Sequence, residues 1–180
     1  MIKEEELVKQ LKNKRTQEKA FLILMSEYKE RLYWHIRKIV ISHDDADDVL
    51  QNTFVKIFRN IANFKENSKL YSWMYRIATN ESITFINKRA KQKVLDISEH
   101  QHHLAESLQD DVLYTGSDIQ LILQKAIATL PQKQQLVFKM KYFDEIKYSD
   151  MSEILGTSVG ALKSSYFHAV KKIEKIITSN

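Results

Sequence analysis

Residues 64–93 read FKENSKLYSWMYRIATNESITFINKRAKQK, and this stretch combines a helical pattern with many cations and aromatic rings. A helix begun near Leu70 would carry one polar stripe at helical spacing, formed by Arg76, Asn80, Thr84, Asn87 and Lys91. Cations beside rings suit a single nucleic-acid strand, because cations neutralise phosphates and bases stack on rings. The stretch therefore indicates either a single-strand-binding surface or an ordinary amphipathic helix whose rings lie in a core.

The composition predicts long helices with few breaks. The 180 residues are 43% hydrophobic, with three glycines and one proline. The chain has no cysteine, which excludes disulfides and thiolate zinc sites and fits a reducing cytoplasm. We expect no membrane insertion, because no apolar run reaches spanning length and the acidic start MIKEEEL does not resemble a signal peptide. The net charge of +5 mildly favours a polyanionic partner.

The first part of the chain is predicted to form helices around an apolar core. Residues 4–13 are predicted to form a short surface helix. From Gln17 to Val40 a core-facing stripe recurs at spacings of three and four, formed by Phe21, Leu24, Met25, Tyr28, Leu32, Ile36 and Ile39. Ser42 can cap the next helix, whose first turns are acidic as the helix dipole favours. That helix is predicted to bury Leu50, Phe54, Ile57, Phe58 and Ile61 and to expose Asp48, Gln51, Asn52 and Val55.

Two groups of side chains invite a metal-site interpretation. The acids Asp44, Asp45 and Asp48 match the D-D-x-x-D magnesium–diphosphate motif of polyprenyl synthases. Those enzymes need a second acidic motif and a larger helical bundle, and Asp110-Asp111 lacks the third acid. The His-rich tract at residues 99–103 (Glu99, His100, His102 and His103) lacks matching ligands elsewhere, so solvated histidines are favoured. We therefore predict no metal, no cofactor and no catalytic residue.

The second part of the chain shows a helix-turn-helix pattern. Residues 94–118 have weak periodicity and mixed charge, which predicts a linker. Asp118 can cap a helix that Pro131 stops, and a second helix is predicted over Gln132–Lys141. A short helix over residues 148–155 ends at Gly156, and a long helix follows after residues 157–160. A short helix, a turn containing glycine and a longer helix form the helix-turn-helix arrangement.

The last helix is predicted to have one buried and one DNA-facing side. Its apolar seam is Leu162, Tyr166, Ala169, Ile173 and Ile176. The opposite face carries Lys163, Ser164, Phe167, His168, Lys171 and Lys175. Polar heads suit base edges, a ring suits a thymine methyl group, and lysines suit the DNA backbone. The structural alternative is a helical bundle with a solvated basic face.

Taken in order, these segments resemble those of bacterial RNA polymerase sigma factors of the extracytoplasmic-function (ECF) group, in the sigma-70 family. DADDVLQNTFVKIF (residues 45–58) is similar to the helix with which the family binds core polymerase. KLYSWMYRIATNE (residues 69–81) is similar to the segment that reads the minus-ten element and melts the promoter. Residues 128–175, which begin ATLPQKQQ and end AVKKIEK, resemble the minus-thirty-five-binding domain.

The resemblance implies an all-α protein of two small helical domains joined by a flexible linker. It implies an N-terminal domain at residues 1–93, a linker at residues 94–118, and a C-terminal helix-turn-helix domain at residues 119–180. Such a chain would bind core RNA polymerase in the cytoplasm, direct it to promoter DNA and assist melting, without being an enzyme. Whether an anti-sigma factor occludes it stays open. The alternative is a helix-turn-helix regulator that binds duplex DNA without polymerase.

The resemblance also assigns residues to three surfaces. The polymerase-binding residues would be Asp47, Asp48, Gln51, Asn52 and Val55, with Asn52 in place of a common glutamate. The minus-ten residues would be Lys65, Asn67, Ser68, Lys69, Tyr71, Trp73, Arg76, Asn80, Lys88 and Arg89, with the loop at residues 64–69 capturing a flipped base. The minus-thirty-five residues would be Ser158, Lys163, Ser164, Ser165, Phe167, His168, Lys171 and Lys172, with Ser165 in place of a common arginine.

Overall fold

The computed structural model describes residues 3–93 and 118–178, and over these ranges the chain forms helices and no strand. The predicted all-α class is confirmed. The chain divides into two compact units, Met1–Ile86 and Asn87–Asn180. The predicted linker lies outside the described residues, apart from Asp118. That residue is the first of a helix and not the residue before it.

The helices follow the periodicity of the sequence closely. The first four are α1 (Glu4–Lys12), α2 (Gln17–Val40), α3 (His43–Asn60) and α4 (Leu70–Lys93), with a 3₁₀ turn at Ile61–Asn63. The others are α5 (Asp118–Ala128), α6 (Gln132–Tyr142), α7 (Tyr148–Leu155) and α8 (Val159–Thr178). Both bounds of α2 and of α7 are those predicted. Helix α4 continues past the point that divides the two units.

The core of the first unit is formed by α1, α2, α3 and α4. Leu24, Leu32 and Ile36 of α2 are completely buried, and α2 packs against α3. The side chain of Ser42 caps α3, since its Oγ accepts a hydrogen bond from the Asp45 N–H at 3.4 Å. Helix α1 is the predicted short surface helix, and its inner side packs against α2 and buries Leu7, Val8 and Leu11.

The second unit is built around its last helix, α8, against which α5, α6 and α7 pack. Its core includes Ala126, Ile127, Leu130, Phe138, Ala169 and Ile173. Helix α7 ends at Gly156, whose φ of 60° is the left-handed conformation that glycine adopts without steric cost. The helix-turn-helix that the sequence predicts is therefore present, with α7 as its first helix and α8 as its second.

Candidate functional site

One face of α3 presents an acidic and polar surface. Asp47, Asp48, Gln51 and Asn52 are exposed, and Val55 has 46% of its surface exposed. The face is held in place from behind, because Val49, Leu50, Thr53, Phe54 and Ile57 of the same helix are buried. The five residues that the sequence assigned to this surface therefore lie together on one side of one helix. Carboxylates and amides there suit a partner with cations and hydrogen-bond donors.

An apolar groove of about 680 Å³ adjoins this face, between α2 and α3. Its walls include Phe21, Met25, Phe54 and Phe58, with Gln51 and Val55 at the side of the acidic face. The sequence placed Phe21, Met25 and Phe58 in the core, but they are only half-buried. Periodicity missed the groove because it marks the apolar side of each helix without showing how far a neighbour covers it.

The loop at residues 64–69 connects the 3₁₀ turn to α4. Phe64 is only 4% exposed, and its ring centre lies 5.2 Å from that of Trp73. Lys65, Asn67 and Lys69 are exposed and Ser68 is half-buried. The loop is therefore anchored by a ring at its first residue and offers two cations and an amide to solvent.

Helix α4 carries the polar stripe that the sequence predicts. All five residues of the stripe are exposed, namely Arg76, Asn80, Thr84, Asn87 and Lys91, and so are Lys88 and Arg89. The inner side is fixed by a polar contact as well as by apolar packing, since His35 Nε2 lies 2.8 Å from Thr79 Oγ1. Both groups are buried. The exposed face thus projects from a helix that α2 holds at a defined rotation.

The aromatic rings of this region divide between core and surface. Phe64 and Tyr75 belong to the core, and the Tyr75 ring centre lies 4.7 Å from that of His35. The core interpretation is therefore right for these two rings. Tyr71 and Trp73 are half-buried, which leaves part of each ring accessible from solvent. Those two rings are the ones that the sequence assigned to nucleic-acid contact.

The exposed face of α8 is basic, with an aromatic ring at its centre. Lys163, Ser164, Phe167, His168, Lys171 and Lys172 are exposed, and Ser165 is half-buried. Phe167 has 53% of its surface exposed, and Lys171 Nζ lies 4.6 Å from its ring centre. Ser158 caps the helix through its Oγ, which accepts a hydrogen bond from the Ala161 N–H at 3.3 Å. Ser158 therefore has a structural role beside any contact with a ligand.

Sequence reasoning missed Tyr148, the first residue of α7. Its ring lies below two cations, with Lys141 Nζ at 5.2 Å and Lys163 Nζ at 5.9 Å from the ring centre. Burial, with a smaller contribution from Tyr166, raises the pKa of the Tyr148 phenol. The raised pKa widens the pH range over which the phenol is neutral and can donate a hydrogen bond beside Lys163. A tyrosine at the start of a helix carries no such signal in the sequence, because its partners lie on two other helices.

The part of the chain that the structure describes holds neither a candidate metal cluster nor a membrane-spanning helix. Across residues 3–93 and 118–178, no group of three or more His, Asp or Glu side chains is placed to hold a metal ion. The His-rich tract at residues 99–103 lies outside the described residues. Among the helices of the same two ranges, none is both long enough and apolar enough to cross a bilayer.

Two family models match the chain, in the order in which the surfaces occur. The model "Sigma-70 region 2" matches residues 24–92, which include the acidic face of α3, the loop and almost all of α4. The model "Sigma-70, region 4" matches residues 120–173, which include the helix-turn-helix. Together the two matches cover more than half of the chain.

Named sigma factors are similar to the chain over most of its length. The ECF RNA polymerase sigma factor SigW of Bacillus subtilis (strain 168) is 27% identical over 170 residues, which cover 90% of this chain and 91% of that protein. The ECF RNA polymerase sigma-E factor of Haemophilus influenzae is 27% identical over 167 residues, which cover 88% of each chain.

Solved structures share the fold. CnrH, in a complex with the cytosolic domain of CnrY, has a TM-score of 0.70 at 19% identity, with 98% of each chain covered. The sigma factor RpoE of Bartonella quintana, in a complex with the anti-sigma factor NepR, has a TM-score of 0.66 at 21% identity, over 89% of this chain and 98% of that one. At these identities the two likenesses concern the fold alone. The two family-model matches and the named relatives show that the chain belongs to the sigma-70 family, as a sigma factor of the ECF group.

Proposed function

We propose that the chain binds core RNA polymerase and directs it to promoters through their minus-ten and minus-thirty-five elements. The observation that carries this function is the order of the two matches, with region 2 on the first unit and region 4 on the helix-turn-helix of the second. A regulator that acts on duplex DNA alone needs only a helix-turn-helix. It would have no use for a region 2 fold with an exposed acidic face and a cationic loop.

The acidic face of α3 is the proposed contact with core polymerase. Asp47, Asp48, Gln51 and Asn52 offer carboxylate and amide groups, and Val55 adds apolar area beside them. A few buried anchors supply most of the free energy of a protein interface, and near-neutral contacts around them exclude water. We assign the anchor role to Asp48 and Gln51, because they lie at the middle of the face.

The loop at residues 64–69 and the exposed face of α4 are the proposed minus-ten surface. Unstacking a base costs a few kcal/mol, and stacking it on a protein ring returns about 1–3 kcal/mol. Ring stacking therefore needs help from charge, which Lys65 and Lys69 supply from exposed positions. Tyr71 and Trp73 are half-buried rings beside the loop, and Arg76, Asn80, Lys88 and Arg89 continue the polar face along α4.

Helix α8 is the proposed minus-thirty-five surface. Lys163 and Ser164 lie in its first turns, where a recognition helix meets base edges, and Phe167 offers an apolar ring. Lys171 and Lys172 follow towards the end of the helix, where charge suits phosphate contacts. The capped start of α8 fixes the direction in which these side chains project.

Other properties follow from this function. Sigma factors in general are not enzymes, and we propose that this chain has no catalytic activity and needs no cofactor, because the polymerase performs the chemistry. We also propose that the chain acts in the cytoplasm, where core polymerase and promoter DNA are found. RpoE of Bartonella quintana was solved with an anti-sigma factor. An anti-sigma protein is accordingly a proposed partner of this chain as well.

Run-off transcription tests the proposed function directly. Core RNA polymerase, with and without the full chain, would be supplied with a library of randomised promoter fragments. We expect discrete transcripts only when the chain is present, and a shared pair of upstream elements among the transcribed fragments. Duplex binding without transcripts and without co-purification of core polymerase would instead support the regulator that acts alone.

A further inference from the structure

Helix α1 contacts the proposed base-capture loop and the residue that follows the loop, although it lies before residue 24, where the region 2 match begins. Its residue Glu4 reaches the first residue of α4, and its residue Lys12 reaches Glu66 inside the loop. The partners in the first contact are 66 positions apart in the sequence, and those in the second are 54 positions apart. The helix therefore has a direct connection to the loop at residues 64–69.

The first contact supplies a hydrogen-bond acceptor at the start of α4. Glu4 Oε1 accepts a hydrogen bond from the Leu70 N–H at 2.9 Å. The first turn of α4 contains no acidic residue, although negative charge is favoured at that end of a helix. Glu4 thus provides both an acceptor and a charge from another helix. This contact fixes the point at which the loop ends.

The second contact is made to a residue in an unfavourable backbone conformation. Glu66 has a φ of 60°, a conformation that costs a residue with a side chain about 1 kcal/mol or more and persists only where the surrounding structure enforces it. The Lys12 ammonium forms an ion pair with the Glu66 carboxylate and lies 5.9 Å from the centre of the Phe64 ring. Lys12 therefore contacts the loop at its strained residue and at its buried ring.

The helix between the two contacts is a rigid spacer. Leu7, Val8 and Leu11 are buried, and they pack α1 against α2 and the 3₁₀ turn that precedes the loop. Glu4 and Lys12 are eight positions apart, which in a helix corresponds to about 12 Å along the axis. An anchored helix with an acid in its first turn and a base in its last can hold the loop at Glu66 and the start of α4 at a fixed distance.

We infer that α1 is a positioning element that holds the base-capture loop in its binding conformation before DNA arrives. This inference rests on the function proposed above for the loop. Lys65, Asn67 and Lys69 stay exposed while the backbone around them is held at Glu66 and Leu70. A loop that is already ordered loses less conformational entropy on binding, which strengthens the capture of an unstacked base.

A pair of double variants of the full chain tests the positioning. Glu4→Ala with Lys12→Met removes both contacts, while Glu5→Ala with Lys9→Met removes one exposed acid and one exposed base from the same helix. Trypsin cleavage after Lys69 would report the opening of the loop, because cleavage follows the population of the open form. We expect about fivefold to tenfold faster cleavage in the first variant only, from the loss of one cap and one exposed ion pair. Equal cleavage in both variants would overturn the inference.

The functional consequence is measured on the complete holoenzyme. The probe is a promoter fragment that the wild-type holoenzyme selects from a randomised library, and melting is read from the permanganate reactivity of its thymines. We expect the Glu4→Ala/Lys12→Met variant to lose about fivefold to tenfold in melting, with unchanged binding to core polymerase and to the upstream element. Normal melting despite faster loop cleavage would show that the loop needs no positioning, which also overturns the inference.

Two further variants separate a specific contact from damage to the fold. Glu4→Gln keeps an oxygen that can accept from the Leu70 N–H and should retain most of the melting. Lys12→Glu combined with Glu66→Lys restores the ion pair with reversed charges and should recover melting that Lys12→Glu alone loses. Failure of both to recover it would contradict a role for these contacts. The loop assignment itself is tested by substitutions at residues 67–69, which leave α1 unchanged.

Discussion

Lys139 of α6 is a charged residue in an unfavourable environment. Burial lowers the pKa of its ammonium from an ordinary 10.5 to about 8. In the unfolded chain the group regains water and its ordinary pKa. Between pH 8 and 10.5 the folded protein therefore binds fewer protons than the unfolded chain, so folding becomes more favourable as the pH rises through this window. Below pH 8 the ammonium is charged in the folded protein and in the unfolded chain, so the full free-energy cost of burying the charge remains.

We expect Lys139→Met to stabilise the protein below pH 8, by about 1 kcal/mol after allowance for the partly exposed side chain. The gain should shrink as the pH rises and disappear near pH 10.5. Urea unfolding of both proteins at several pH values measures the difference. Lys125→Met, at an exposed lysine of α5, is the control and should show no such trend. A difference that does not change with pH would contradict the burial of this charge.

The chemical type of a residue does not by itself show whether the residue is buried or accessible. Phe64 and Tyr75 are aromatic residues in a cationic stretch, and both belong to the core. Tyr71 and Trp73, in the same stretch, keep part of their rings accessible. The local sequence pattern does not distinguish the two buried rings from the two half-buried ones. A ring is buried by partners on other elements, as His35 of α2 shows for Tyr75.

At the scale of single elements, α3 is divided into a buried apolar side and an exposed acidic side. We expect Asp48→Ala with Gln51→Ala to weaken binding to core polymerase by about 1–3 kcal/mol if both are anchors. The helix content should not change, because neither side chain is buried. A fluorescence titration against core polymerase measures the affinity, with Glu30→Ala, at an exposed acid of α2, as the control. Unchanged affinity would remove this face from the interface.

Helix α8 should separate general affinity from sequence preference. Lys171 and Lys175 lie towards its end, where charge suits phosphates, so we expect Lys171→Met and Lys175→Met to weaken binding to all duplexes. Each lost phosphate contact should reduce the slope of log K against log salt by about 0.9. Lys163→Ala should instead change the preferred upstream sequence. Selection from a promoter library tests this difference, and recovery of the parental motif at parental strength by Lys163→Ala would refute it.

Across the whole molecule, recognition of duplex and of melted DNA is proposed to lie in different units. Changing Asn67, Ser68 and Lys69 together to alanine removes three polar side chains of the loop and leaves α3 and α8 intact. We expect this variant to lose promoter melting, read by permanganate, while it still binds core polymerase and the upstream element. Melting should be lost because ring stacking and charge must together offset the free-energy cost of unstacking a base, and the variant removes one of the loop's charges.

The control for the loop variant replaces a lysine and a serine elsewhere in the first unit. Lys19 and Ser26 are exposed on α2, and their double alanine variant should melt the promoter normally. Normal melting by the loop variant would remove the loop from base capture. The full chain should also bind the minus-ten sequence as a single strand in preference to the same sequence as a duplex. An equal affinity for both forms would favour the duplex-binding regulator.

The amino-acid pattern is enough to predict most of the helices and the exposed faces of α3, α4 and α8. Helical periodicity depends on neighbours three and four residues apart, so it predicted Gln17–Val40, Tyr148–Leu155, the exposed stripe of α4 and the basic face of α8. Which apolar side chains stay uncovered depends on the tertiary structure, and those that line the groove between α2 and α3 are an example. The tertiary structure also decided that Glu4 caps Leu70 and that Lys12 holds Glu66. Those contacts depend on how helices pack, and local spacing contains no information about partners more than fifty residues away.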